Sequence, residues 1–239
     1  MNASKELVGV VAGAGYFSWF HYDAWQRIED VRIVANCDLS VDKAAAMASE
    51  FGIEHSYSAD QFAEMLERHQ PDFVDIATPG TTHYEICKIA ANAGVNMICQ
   101  QPLASTWQQT LVIAEMIRSS DNRFMVHENW RWQPWYREMK SLMEAGVIGD
   151  VFHAAVMCRI GDGWADDAYL ARQPLFRDAS RLFLLETGVH FLDTFRFLFG
   201  EAKSVFARTA QRNPVIQGED SALVVCEMES GVTTVLDAN

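Results

Sequence analysis

Six apolar residues, Leu7 to Ala12, run directly into Gly13-Ala14-Gly15. This junction constrains the fold more than any other stretch of the 239-residue chain. A short apolar run closed by glycine is a buried-strand pattern. A G-x-G turn that leaves such a strand and opens a helix is shaped for a pyrophosphate. The first glycine permits the tight turn, and the second lets phosphates approach the backbone. The helix N-terminus then offers N–H groups and a partial positive charge. Gly13 and Gly15 stand at these places, followed by Tyr16 and Phe17. The third position is Ser18 rather than glycine, still small enough for close helix packing. The next strand-like run, "VRIVANCD", ends at Asp38. An acid about 20 residues beyond the glycines can accept hydrogen bonds from ribose hydroxyls and repel a 2′-phosphate, which favours NAD over NADP. Taken alone, Asp38 also reads as a loop residue or a helix cap.

The rest of the first half repeats the strand–helix alternation. Residues 16–28 carry Phe17, Phe20, Ala24 and Ile28 at helical spacing, and residues 41–51 form a helix that Gly52 stops. Phe62, Met65 and Leu66 mark one face of another helix, and "DFVDIAT", "VNMIC" and "RFMVHEN" read as strands. Thr82-His83-Tyr84-Glu85 and Ser105-Thr106-Trp107-Gln108 are expected to be capping boxes, in which side chains satisfy the first N–H groups of a helix. Right-handed crossovers turn this order into a doubly wound parallel sheet. After about residue 128 the pattern changes. Pro134 opens a helix with Trp135, Met139, Leu142 and Met143 as its expected buried face. "VFHAAVMCRI" alternates, with Phe152, Ala154, Val156, Cys158 and Ile160 on one face. "SVFARTAQ", "SALVVCEM" and "VTTVL" follow, the last two at hairpin spacing. The expected fold class is α/β: residues 1–127 form a dinucleotide-binding domain. Residues 128–239 form a partial α+β domain with a largely antiparallel open sheet, because the chain stops as a strand finishes.

Composition narrows the function classes. Net charge is −13 with no basic block, the wrong electrostatics for a nucleic-acid partner. No apolar run is long enough to span a bilayer. The N-terminal run after Lys5 reads as a first strand, not a signal peptide. Five cysteines, Cys37, Cys87, Cys99, Cys158 and Cys226, form no CxxC pair. Their odd number fits a reduced, cytoplasmic setting. No Cys/His spacing suggests a metal.

Four segments, "GAGYFSWFH", "DIATPGTTHYEIC", "ICQQPLA" and "ETGVHFLDTFRFLFGE", occur in the order and spacing of one family. The chain resembles the glucose–fructose oxidoreductase/inositol dehydrogenase (Gfo/Idh/MocA) family along nearly its whole length. The resemblance implies an N-terminal NAD(P)-binding Rossmann domain and a C-terminal domain whose open sheet carries the substrate pocket and often an oligomer interface. It also implies a chain cut short of the usual family length. Thr78, Pro79 and His83 match a loop passing the nicotinamide. Gln100-Gln101-Pro102 matches the place where the family usually has Glu-Lys-Pro. Asn129 and Arg131 match a segment near the domain junction. Glu186, Gly188, His190 and Asp193 match a pattern in which the histidine accepts the proton and the first acid supports it.

Oxidising a secondary alcohol by hydride transfer needs a base for the hydroxyl proton and a stabiliser for alkoxide-like charge. His190 suits the base, since an imidazole titrates near neutrality. Glu186, four residues earlier, lies on the same helical face if both are helical. Alone, His190 reads as a helix histidine beside Phe191 and Phe195. His83 is explained as a helix-start residue, and His21, His55, His69, His127 and His153 show no partner pattern. Trp130, Trp132 and Trp135 suit either sugar stacking or the core. Arg159, Arg172, Arg177 and Arg181 flank the insertion "DGWADDAYLARQPLFRDASR", which reads equally as a pocket rim or a solvated loop. Gln101 offers a donor and an acceptor but no charge. Three readings stay open: an NAD-dependent dehydrogenase of a sugar, inositol or related polyol with a variant site; an enzyme using NAD without net redox, as in glycoside cleavage; and a cofactor-binding sensor without turnover. The expected partners are a small polyol or sugar and further copies of the chain, joined through the C-terminal sheet.

Overall fold

The apolar run at the N-terminus becomes β1 (Leu7–Ala12), whose last four residues are buried on both faces of a sheet. The computed structural model describes residues 6–239. Residues 1–5 of the expected first domain, including Lys5, lie outside the described residues. The chain divides into two units, one ending at His127 and the other starting at Glu128.

In the first unit, β1 is followed by α1 (Ser18–Gln26), β2 (Val31–Asp38), α2 (Val41–Phe51), β3 (His55–Ser58) and α3 (Phe62–His69). Then come β4 (Phe73–Ile76), α4 (His83–Asn92), β5 (Asn96–Gln100), α5 (Trp107–Arg118) and β6 (Phe124–His127). The strand order is β3-β2-β1-β4-β5-β6, and every neighbouring pair is parallel. The order reverses at β1/β4, so both strand ends that flank this switch point open on the same edge. The core joins Val10, Val74, Ile76, Met97, Cys87 and Cys99 from strands and α4 to Phe62, Met65 and Leu66 of α3.

Several local expectations change. β3 has no apolar run, only "HSYS", and went unread; it pairs with β2 at the sheet edge. The helix at 16–28 does not bury Phe17, Phe20 and Ile28, which are exposed; α1 buries Ser18, His21 and Tyr22 instead. Thr82 does not cap α4 with its side chain. Its hydroxyl donates to Pro79 O and Thr78 Oγ1. The cap of α5 is Thr106, one residue later than expected, accepting from Gln109 N.

The second unit contains α6 (Pro134–Glu144), β7 (His153–Cys158), α7 (Val189–Phe199), β8 (Ala202–Ala210), β9 (Ser221–Met228) and β10 (Thr233–Ala238). The sheet order is β7-β10-β9-β8, antiparallel except for the parallel β10–β7 pair. Phe191, Phe195 and Phe199 stand four residues apart on α7 and are buried with Val224, Cys226 and Leu236 of the sheet. Burying such a side chain contributes about 1.5–3 kcal/mol. α6 departs from its expected role: Trp135, Met139 and Leu142 are exposed, and only Met143 packs against this core. Phe152 is exposed too, because β7 starts one residue after it. The long insertion keeps most of its residues exposed, as a solvated loop does. It folds through short 3-10 turns around its own small core of Ala168, Leu182 and Ile216. Asn213 is buried there and donates to Gly163 O and Ala165 O. Among the described residues no helix is long and apolar enough to cross a membrane.

Candidate functional site

In the first unit, functional groups collect at the C-terminal strand ends beside the switch point. Gly13 has φ +114°, and a Cβ there would lie 2.6 Å from Ala77 O, so only glycine fits the turn. Its N–H donates to Cys37 O and its carbonyl accepts from Tyr22 Oη. Gly15 faces open space: nothing would lie within 4 Å of a Cβ. Ser18 does more than pack closely, since its hydroxyl donates to Gly15 O at 2.7 Å and ties the loop to α1. No side chain caps α1; in its first turn the Phe20 N–H donates to Phe17 O at 3.2 Å. Tyr16 and Phe17 are exposed beside this turn. Asp38 ends β2 and is half-buried. Its carboxylate accepts from Ala14 N at 2.7 Å and from Ser40 N at 2.9 Å. The acid therefore clamps the glycine loop, and each oxygen keeps a lone pair for a ribose hydroxyl.

Thr78 and Pro79 form the β4–α4 loop. His83, one of the expected cofactor contacts, is fully buried and does not reach a ligand surface. Its Nε2 lies 2.8 Å from Thr78 O and its Nδ1 3.1 Å from Leu103 O. Burial holds its pKa below the ordinary histidine value, with the backbone hydrogen bonds working in the other direction. His83 is a brace between two loops, which also meet where a Cβ on Gly80 would lie 2.9 Å from Pro102 O. Gln100 ends β5. Its Oε1 accepts from Gln101 N at 2.7 Å, and its Nε2 lies 3.0 Å from His21 Nε2. His21, dismissed on sequence, is paired on its other nitrogen with Asp75 Oδ2 at 2.9 Å. Trp25 Nε1 donates to the same oxygen at 2.6 Å. The readable signal was Ser18, His21, Tyr22 and Trp25 at core spacing on one helix, facing an acid inside the strand "FVDI".

In the second unit, His190 sits on the first turn of α7. Its Nδ1 lies 2.9 and 2.8 Å from the two oxygens of Glu128. Glu128 was not among the expected residues; Glu186 was expected to support the ring. A carboxylate only accepts here, so Nδ1 carries a proton. Trp130 stacks on the imidazole, with centroids 4.9 Å apart and planes 5° apart. The Trp130 N–H donates to Glu128 Oε1 at 2.9 Å. Burial works to raise the Glu128 pKa, but the hydrogen bonds from His190 and Trp130, with the charge of Arg131, hold it below the ordinary value. Glu186 lies on a π-helical turn, Leu184–Gly188, just before α7. Burial pushes its carboxyl up to about 7. Arg131 and Asp193, which the resemblance places in two separate segments, form one two-pronged ion pair with each other. Trp132 is exposed, with the Arg137 guanidinium 5.2 Å over its ring. Arg159 is held by Asp237 and Arg172 by Asp162.

Both units match models of one protein family. The family model described as "Oxidoreductase family, NAD-binding Rossmann fold" matches residues 8–128. The "GFO/IDH/MocA C-terminal domain" matches residues 136–239. A D-apiose dehydrogenase of Paraburkholderia graminis is 38% identical over 98% of this chain and 61% of its own length. A second, of Rhizobium rhizogenes, is 32% identical over 98% of this chain and 66% of its own. The chain thus spans just under two thirds of these relatives. An Agrobacterium radiobacter oxidoreductase, solved with NAD+, L-tartaric acid and magnesium, superimposes with a TM-score of 0.90 at 31% identity. That match covers 98% of this chain and 67% of the other.

Proposed function

The chain belongs to the Gfo/Idh/MocA oxidoreductase family, with an NAD-binding Rossmann domain, and from that premise we propose that it oxidises a sugar, inositol or related polyol with NAD, His190 taking the hydroxyl proton. The observation that carries this reading is the Glu128–His190 pair. It orients the ring through Nδ1 and would stabilise the imidazolium that forms when the ring takes a proton. The first unit fits the cofactor: the glycine-only turn at Gly13 is held against Ala77, Gly15 opens onto space that a pyrophosphate can enter, and Asp38 suits unphosphorylated ribose. NAD, when bound, supplies the hydride acceptor. Gln101 hydrogen-bonds the substrate oxygen without adding charge. Burial raises the Glu186 carboxyl to about 7, which favours a protonated form able to donate toward a hydroxyl more than in an ordinary carboxylate. The names of the two most similar relatives above support D-apiose as the first substrate to try.

A second reading rests on Gln101: a neutral amide where a cation would stabilise alkoxide favours cofactor binding without net turnover. Titration with NADH and NADPH, read by energy transfer from tryptophan to nicotinamide, tests the shared part. Tighter NADH binding, weakened in Asp38→Ala, is expected. NAD reduction by D-apiose and myo-inositol then separates the readings: turnover that falls about 10²–10⁴-fold in His190→Ala supports the dehydrogenase, and binding without turnover overturns it. We also propose that copies pair through the open sheet face. Phe206, Leu223 and Met157 are exposed on it, and a monomeric mass by light scattering of the same preparation would exclude this.

A further inference from the structure

The hydrogen bonds behind Gln101 form a chain whose every direction is fixed by one backbone N–H. The Gln101 N–H can only donate, so the Gln100 atom 2.7 Å away is the amide oxygen. The other end of that amide is therefore NH2, and it donates to His21 Nε2 at 3.0 Å. His21 Nε2 is then an acceptor, which puts the ring proton on Nδ1, donated to Asp75 Oδ2. An imidazolium would set N–H against NH2, so His21 is neutral. The chain is buried: the side chains of His21 and Asp75 are 3% and 1% exposed. His127 packs edge-on against His21 at 4.4 Å, which limits ring rotation. The other Asp75 oxygen, Oδ1, is buried with no hydrogen-bond partner. Two donors converge on Oδ2 instead, from His21 and Trp25, so the carboxylate is aimed at α1.

We propose that His21, oriented by Asp75, is a positioning residue for Gln101: it fixes the Gln100 amide and, through it, the backbone that presents the Gln101 side chain. The significance of Gln101 for substrate rests on the function proposed above; the positioning itself does not. An amide at residue 100 is required by this wiring. A carboxylate there could accept from Gln101 N but would have no hydrogen for His21 Nε2, so His21 would have to carry a second proton.

Imidazole 15N NMR of the wild-type chain reads the tautomer directly, and neutral Nδ1–H is expected at His21. In Gln100→Glu the same ring should become doubly protonated at neutral pH. In His21→Phe the Gln101 amide should exchange with solvent at least tenfold faster. His21→Gln, which returns an acceptor near the Nε2 position, should restore slow exchange. Turnover on the wild-type substrate should fall roughly 10–100-fold in His21→Phe while NADH affinity holds within about twofold, since small misplacements of a contacting group cost that much. An Nε2–H tautomer in wild type, or unchanged Gln101 exchange in His21→Phe, overturns the proposal. If His21→Phe does not fold, the wild-type tautomer and its response to Gln100→Glu decide. A wild type that binds no NADH defeats the functional reading alone, because the NMR and exchange results still stand.

Discussion

Each unit holds a histidine bonded through Nδ1 to a carboxylate, and the two pairs differ in one respect that matters. His21 and Asp75 have side chains 3% and 1% exposed. His190 and Glu128 have side chains 13% and 14% exposed. In the closed pair the second ring nitrogen is occupied by the Gln100 amide. In the open pair the ring is framed by Trp130 on its face, and the histidine begins a helix. The same Nδ1 contact thus serves two ends. A closed pair converts its hydrogen bonds into rigidity, because burial leaves no exit for a proton. A half-open pair holds an imidazole oriented at a partly exposed position, which suits the proton transfer proposed above.

The largest effect expected from breaking this comparison is on stability at the closed pair. Asp75→Ala leaves the His21 and Trp25 N–H donors buried without acceptors, at about 1–3 kcal/mol each. Urea unfolding should show a loss of several kcal/mol, and a loss under 1 kcal/mol would mean the two pairs are not different in kind. At the open pair the balance reverses. Glu128→Gln should leave the unfolding midpoint nearly unchanged but lower turnover. Removing the orienting carboxylate of a metal-bound imidazole costs about 10–100-fold, and a loss of that order is expected here. Unaltered turnover would reassign the support of His190 to Glu186. The smallest effect concerns Glu186, whose folded-state value of about 7 lies above the ordinary 4.5. Between those values the folded chain keeps a proton that the unfolded chain releases. Stability therefore falls as pH rises through that window and levels off above it. In Glu186→Gln, the difference between unfolding midpoints at about pH 5 and about pH 8 should shrink; an equal difference would show that the slope arises elsewhere.

The parallel sheet, the glycine turn and Asp38 were legible in the sequence because each is a local pattern: an apolar run, a conformation only glycine adopts, an acid at a strand end. The place of His190 at the start of a helix and of Gln101 just after a strand was legible through their segments. Glu128 was not. It stands 62 residues from His190, and no spacing rule connects a strand end to a helix that far along. The helical spacing of Phe17, Phe20 and Ile28 did not say which side of α1 is buried: the buried acid of β4 demands donors, and the side of α1 carrying His21 and Trp25 supplies them. Tertiary satisfaction of one polar group outweighed local amphipathy. The exposed stripe of α6 and the packed insertion around Asn213 show the same limit, since both are settled by long-range contacts.

The five thiols are all unpaired by disulfides, and four of them are buried. Burial pushes the Cys37 thiol up to about 12. Cys99, hydrogen-bonded with Cys87 in the core, is driven above the ordinary thiol range as well. Half-buried Cys158 is also raised, burial outweighing the nearby Arg159. Since the thiolate is the species that attacks oxidants and electrophiles, packing disfavours the reactive form at Cys37, Cys99, Cys158 and Cys226 while the chain is folded. Slow reaction with peroxide in the folded chain and faster reaction once it is unfolded is the expected consequence.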